Sequence, residues 1–212
     1  MKKISLVILL LFACLSFGAD EADQVRQFLK DTPLIDGHND LPWQYHDNWK
    51  NHINQVDLRT DTSKLKTPLH TDIARLRRGG VGGQFWSVYV PVDYAGPKAV
   101  QAVLEQIDDV HRFTKMYPDV FEMAYTASDV ERIHKQGKIA SLIGVEGGHC
   151  INNSLAVLRQ LYSLGARYMT LTHWNNTDWA DAATAGPKYN GLSSFVIYHQ
   201  SLQAIPATRQ PE

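Results

Sequence analysis

The sequence predicts an α/β fold built on parallel strands, and three observations carry that reading. Short apolar runs alternate with amphipathic stretches of helical period, an order that makes successive strands parallel and their crossovers right-handed. One run, Gln84–Val90 (Gln-Phe-Trp-Ser-Val-Tyr-Val), is nearly all apolar or aromatic, as a strand covered on both faces must be. Residues able to ligate a metal or move a proton fall near strand ends, at Asp40, Glu146 and His173. The carboxyl ends of parallel strands are where such folds keep their sites.

The 212 residues suffice for one domain with a sizeable core, and 44% apolar with 20% charged residues excludes a disordered chain. A formal net charge of −1 argues against a nucleic-acid surface. Lys2-Lys3, the apolar run Ile4–Leu15 and the small residues around Gly18 read as a signal peptide over residues 1–18. The run is too short to span a bilayer comfortably, so a secreted chain without a membrane span is expected. Its removal leaves 19 basic against 22 acidic residues, a net charge near −3. The domain then covers 19–195, and 196–212 is a divergent tail.

Within the domain, Asp23–Asp31 reads as a helix with Val25, Phe28 and Leu29 on one face, stopped by Thr32-Pro33. Leu34–Asp36 is the first strand. Pro42 opens a loop to His52 whose Trp43, Tyr45, His46 and Trp49 form either a substrate rim or a plain packed loop. Thr71–Arg78 is a helix with Ile73 and Leu76 inward and Arg75, Arg77 and Arg78 solvated. The glycines of Gly79–Gly83 precede the second strand, Gln84–Val90, whereas a phosphate loop follows a strand and opens a helix. In Pro97–Met116, residues Val100, Val103, Leu104, Ile107 and Val110 recur at helical steps. Ser128–Gln136 is a helix with Ser128 and Glu131 as a capping box and Gly137 as its stop. Ile139–Glu146 is the third strand. Ser154–Leu164 is a helix with Leu155, Leu158, Leu161 and Tyr162 inward, and Ala166–His173 is the fourth strand. Four βα units result.

The chemistry starts in Leu34–Leu41 (Leu-Ile-Asp-Gly-His-Asn-Asp-Leu). In an extended chain, side chains two residues apart point the same way, so His38 and Asp40 can meet on one divalent ion such as Zn²⁺. Glu146 and His173 stand at later strand ends; each could instead be a satisfied core residue. His149 reads as structural. Cys14 lies in the signal, which leaves Cys150 as the sole mature cysteine, either buried and inert or paired with another chain. Asn152-Asn153-Ser154 and Asn175-Asn176-Thr177 are glycosylation sequons that fit a secreted glycoprotein. His199, in the tail, has no strand end to place it.

With these residues assembled, the chain resembles the membrane (renal) dipeptidase family, zinc metallopeptidases on a TIM-barrel fold. The likeness rests on four segments in order: Leu34–Gln44, Gly79–Val90, Ile143–His149 (Ile-Gly-Val-Glu-Gly-Gly-His) and Leu155–Asp181, with Leu-Thr-His-Trp-Asn-Asn-Thr and Trp-Ala-Asp. The resemblance implies a hydrolase that cleaves dipeptides with a metal-activated hydroxide. It implies that His38 and Asp40 hold one zinc, that catalytic Glu146 bridges two, and that His173 binds substrate and stabilises the developing oxyanion. It further implies two later histidines for the second zinc, a substrate-binding arginine and a catalytic carboxylate, for which this sequence offers no counterpart. Four βα units are also half of an eight-stranded barrel. The expectation is therefore a TIM-barrel-like metallohydrolase truncated to four units: a secreted zinc dipeptidase with an incomplete second site and impaired turnover. The alternative is an inactive remnant that binds a partner chain, a second copy included, or one metal ion. A small doubly wound binding protein would need a phosphate motif after a strand, and none is present.

Overall fold

The computed structural model describes residues 21–194; the expected signal peptide, Phe195 and the tail with His199 lie outside them. In order, residues 21–31 form helix α1, followed by β1 (Leu34–Asn39), α2 (Leu41–Trp49), α3 (Ile73–Arg78), β2 (Val81–Tyr89) and α4 (Pro97–Met116). Then come β3 (Phe121–Met123), α5 (Ala127–Lys135), β4 (Ile139–Glu146), α6 (Leu155–Ser163) and β5 (Ala166–Met169). All the strand pairings are parallel, β1 with β2, β2 with β4, and β4 with both β3 and β5. Strand β2 covers Ala140–Glu146 along one edge of β4, so β3 and β5 share the other edge end to end. The parallel α/β reading is correct, with one strand more than expected: β3 is three residues long, too short to show a period of two.

The core lies between β2, β4 and the helices α2 and α4. Trp86, Tyr45, Phe113 and Phe121 are essentially inaccessible, with the Trp86 and Phe113 rings edge to face at 4.9 Å. Such aromatic burial dominates the stabilisation, because each ring removes some 150–250 Å² from water. On α4 the buried stripe runs through Val103, Ile107, Val110 and Phe113, while Leu104 turns outward. One residue is 100° of helix, which carries Leu104 off the stripe that Val103 occupies.

Several expectations are corrected. Pro42 does not open a loop: it sits in the first turn of α2, where its missing N–H is no loss. Tyr45 is therefore core, packed on Phe113, and not part of a rim. Helix α5 is capped by Thr126, whose hydroxyl accepts from the Asp129 N–H while the Asp129 carboxylate accepts from the Thr126 N–H. The Ser128–Glu131 box is thus displaced by two residues. Val25, Phe28 and Tyr162 are exposed, and on α1 only Leu29 among the expected face is partly covered. Arg75 is not a solvated charge; it donates to Asp72, Thr62 and the Leu69 carbonyl and pins the 62–71 segment to α3. Strand β5 stops at Met169, so His173 lies in the irregular segment beyond it. There the Thr170 hydroxyl takes the Gly147 N–H and the chain leaves the sheet.

Candidate metal centre

The carboxyl ends of β1 and β4 meet at one point. His38 precedes the end of β1, where the ladder to β2 is irregular between Asp36 and Asn39. Tyr168 donates its hydroxyl to the Gly37 carbonyl, and buried Gln84 donates its amide to the Asp36 carbonyl, which fixes the backbone on either side. Asp40 occupies the N-cap of α2 without capping it. An aspartate there ordinarily accepts a helix N–H; here the Asn39 amide oxygen takes the Leu41 N–H instead, leaving the Asp40 carboxylate free.

His38 Nε2 lies 3.1 Å from Asp40 Oδ1 and 3.4 Å from Glu146 Oε2. One ligand atom of each residue lies within 4.8 Å of the others, and this is the one group of its kind found among the described residues. Ligand atoms at about 2.0–2.1 Å from a tetrahedral ion sit roughly 3.3 Å apart, so the spacing suits Zn²⁺. The donor set also fits: one imidazole and two carboxylates make three protein ligands and leave a fourth position open.

Glu146 is the last residue of β4 and mostly covered. Its Oε2 accepts a hydrogen bond from Ser87 Oγ at 3.0 Å, and its Oε1 lies 3.1 Å from His173 Nε2. A carboxylate oxygen only accepts, so a hydrogen bond between the two puts a ring proton of His173 on Nε2. The His173 Nδ1 is buried without a hydrogen-bond partner among the described residues. The ring is wedged edge-on between Tyr89 and Trp174, at 5.1 and 5.3 Å. Burial, followed by the charges of Glu146 and Asp40, raises the pKa of the Tyr89 and Tyr168 hydroxyls above the ordinary tyrosine value. The field of the centre is negative, as a cation site requires.

All four residues singled out in the sequence thus come together: His38, Asp40 and Glu146 as a ligand-like triad, and His173 against the far oxygen of Glu146. His149 does not join them. Its Nε2 donates to the Val90 carbonyl, and burial lowers its pKa. Cys150 is a free, buried cysteine whose thiol is pushed up to about 12, chiefly by burial and then by Glu146. Trp43 packs against Tyr89 near the centre, so one of the four aromatic residues expected at a rim lies close to it. Sequence reasoning missed Ser87, Gln84 and Tyr168. The signal for the first two was a polar residue inside an otherwise apolar strand, since a buried hydroxyl or amide needs a partner.

An imidazole–carboxylate cluster at the carboxyl edge of a parallel sheet is the kind of site at which α/β proteins hold a divalent metal. The family is narrower. The family model for membrane dipeptidases (peptidase family M19) matches residues 22–196, and the chain belongs to that family. Dipeptidase verJ of Clonostachys rogersoniana is 42% identical over 185 residues, covering 82% of this chain and 46% of its own. Dipeptidase 3 of Mus musculus is 42% identical over 178 residues, covering 82% and 34%. A metallopeptidase from Rhodobacter sphaeroides, solved with a phosphinate mimic of the dipeptide L-Ala-D-Ala, superposes with a TM-score of 0.58 at 23% identity. That match covers 70% of this chain and 48% of the solved one, and it shows the fold: the TIM-barrel-like α/β architecture of the M19 dipeptidases. The chain spans half or less of the length of these relatives.

Proposed function

We propose that this chain provides the first metal site and the oxyanion-stabilising histidine of a secreted, zinc-dependent dipeptidase. The observation that carries the reading is the convergence of His38, Asp40 and Glu146, one ligand atom of each lying within 4.8 Å of the others. A bound Zn²⁺ supplies Lewis acidity and lowers the pKa of a coordinated water. His38, Asp40 and Glu146 would hold the ion and supply three of its ligands. His173 donates its Nε2 proton to the carbonyl oxygen of the scissile peptide and to the charge that grows there. A donor aimed at such an oxyanion is worth about 3–4 kcal/mol.

Export is supported by the basic and apolar start of the sequence and by the exposure of both sequon asparagines, Asn152 and Asn175. No helix among the described residues is long and apolar enough to cross a membrane. The test of the site is zinc content, by mass spectrometry, of the wild type and His38→Ala. About one ion per chain should be lost in the variant; unchanged stoichiometry would sink the assignment.

A second reading, one ion held without turnover, is favoured by the three-residue ligand set itself. A two-metal hydrolase shares one water between both cations, and among the described residues only one set of ligands converges. We therefore expect the 212-residue chain alone to bind zinc but to show no chelator-sensitive hydrolysis of a simple dipeptide. Robust turnover by the chain alone would instead mean that copies assemble to complete the site.

A further inference from the structure

At the amino-terminal end of the sheet, opposite the metal centre, three helices finish side by side. One side of α1, the carboxyl ends of α3 and α5 and the first residues of β2 and β4 line an open cleft of about 940 Å³. That is near the upper end of the size range of small-molecule sites. Its base is apolar, made by Leu29, Val81 and Ile139, with the exposed Val25 at its edge. The walls are held in place. Leu29 lies against Gly80, where a Cβ would come within 2.8 Å of its methyl carbon, and the His134 Nε2 donates to the Lys30 carbonyl to tie α5 to α1.

The rim is cationic. Two of its basic residues are neutralised, Arg26 by Asp23 and Lys138 by Glu122. Arg77 donates weakly to the Asp119 carbonyl, and Lys30, Arg78 and Lys135 form no ion pair among the described residues. Part of this charge has an ordinary explanation. Basic residues favour helix carboxyl ends, and each end contributes roughly half a negative charge. Three helix ends and Glu21, the single acidic lining residue, offset only part of the charge of Lys30, Arg78, Lys135 and Arg77, the last of which also feels the Asp119 carboxylate. The rim stays net positive.

We propose that this cavity binds a small organic anion of the phosphate-monoester class carrying an apolar body, at a site separate from the metal centre. A phosphate monoester bears about −1.5 to −2 at neutral pH, which suits a net positive rim. The apolar floor distinguishes such a ligand from inorganic phosphate. Neither feature serves the chemistry at His38, Asp40 and Glu146, which lies at the far ends of the strands.

Calorimetric titration of the full chain with octyl phosphate, below its micellar concentration, tests this. One saturable site is expected, at least about tenfold tighter than for inorganic phosphate, since burying two methylenes suffices for that factor. Lys30→Glu/Lys135→Glu should weaken octyl phosphate binding at least about tenfold and leave zinc content unchanged, because interactions between exposed charges fade beyond about 10 Å. Arg78→Glu, on a different helix, should act the same way and guards against a folding defect in the double variant. Vesicles of phosphatidate in phosphatidylcholine distinguish a lipid source from a free one. Binding of both vesicles and octyl phosphate supports the cavity with lipid as a source, and octyl phosphate alone supports a free ligand. Absent or non-saturable octyl phosphate binding, equal affinity for inorganic phosphate, indifference to the charge reversals, or binding of vesicles only would each overturn the proposal.

Discussion

Replacing Ser87 with alanine should weaken metal binding without unfolding the protein. Ser87 is fully buried on β2 and donates its hydroxyl to Glu146 Oε2 at 3.0 Å. That oxygen also faces His38 Nε2, and Glu146 is one of the three converging residues. Without the hydroxyl, Oε2 loses its Ser87 donor, and only the His173 contact to Oε1 remains of the two. Outer hydrogen bonds to metal ligands are typically worth 10–100-fold in affinity, about 1.4–2.7 kcal/mol. The range agrees with the ~1.5–3 kcal/mol of a hydrogen bond to a charged group. Alanine removes one oxygen and introduces no clash, so the fold should persist. The assay is competition for zinc against a fluorescent chelator, with circular dichroism as the check on folding. A zinc affinity within about twofold of wild type, well outside that range, would refute the role of Glu146 Oε2 as an oriented ligand. Ser141→Ala is the matched control: Ser141 is equally buried on β4, but its hydroxyl has no partner among the described residues. It should leave zinc affinity unchanged and stability equal or higher, because an unpartnered hydroxyl costs desolvation.

Asp109 is fully buried, and burial, only partly offset by Arg112, raises its carboxyl to about 7. A raised carboxyl is protonated in the fold and ionised in the unfolded chain, so its stabilising contribution is full below the ordinary carboxylate range and lost as pH rises through about 7. Asp109→Asn should therefore exceed wild type by roughly 2–4 kcal/mol at pH 8 in urea melts, converging near pH 4; a pH-independent difference would contradict this. Gly148→Ala places a Cβ against the Leu171 carbonyl oxygen and 2.5 Å from the Trp179 ring. Thermal melts should show a loss of about 1–3 kcal/mol, with the segment that carries His173 displaced. Thr126→Ala should cost about 1 kcal/mol by removing the cap of α5, whereas Ser128→Ala should cost little; the reverse ranking would restore the expected cap.

What the sequence determined by itself is local. The bounds of α4 and β4 were legible because Pro97, an apolar period of 3.6, Gly137 and a run of eight strand residues act within a few positions of themselves. His38 and Asp40 were legible because extended backbone puts alternate side chains on one side. Pro42 misled because proline is equally at home before a helix and in its first turn. Strand β3 left no trace, since three residues carry no period. Only the tertiary structure decided that Glu146 Oε2 stands 3.4 Å from His38, that Ser87 holds it from behind, and that His173 reaches Glu146 from beyond the end of β5. It alone gathered one side of α1 and the carboxyl ends of α3 and α5 around one cationic cleft. The reason is the same in each case. A periodic pattern records which way a side chain points from its own backbone, whereas the separation of two side chains depends on how strands are ordered in the sheet, which the β1-β2-β4 ladder sets.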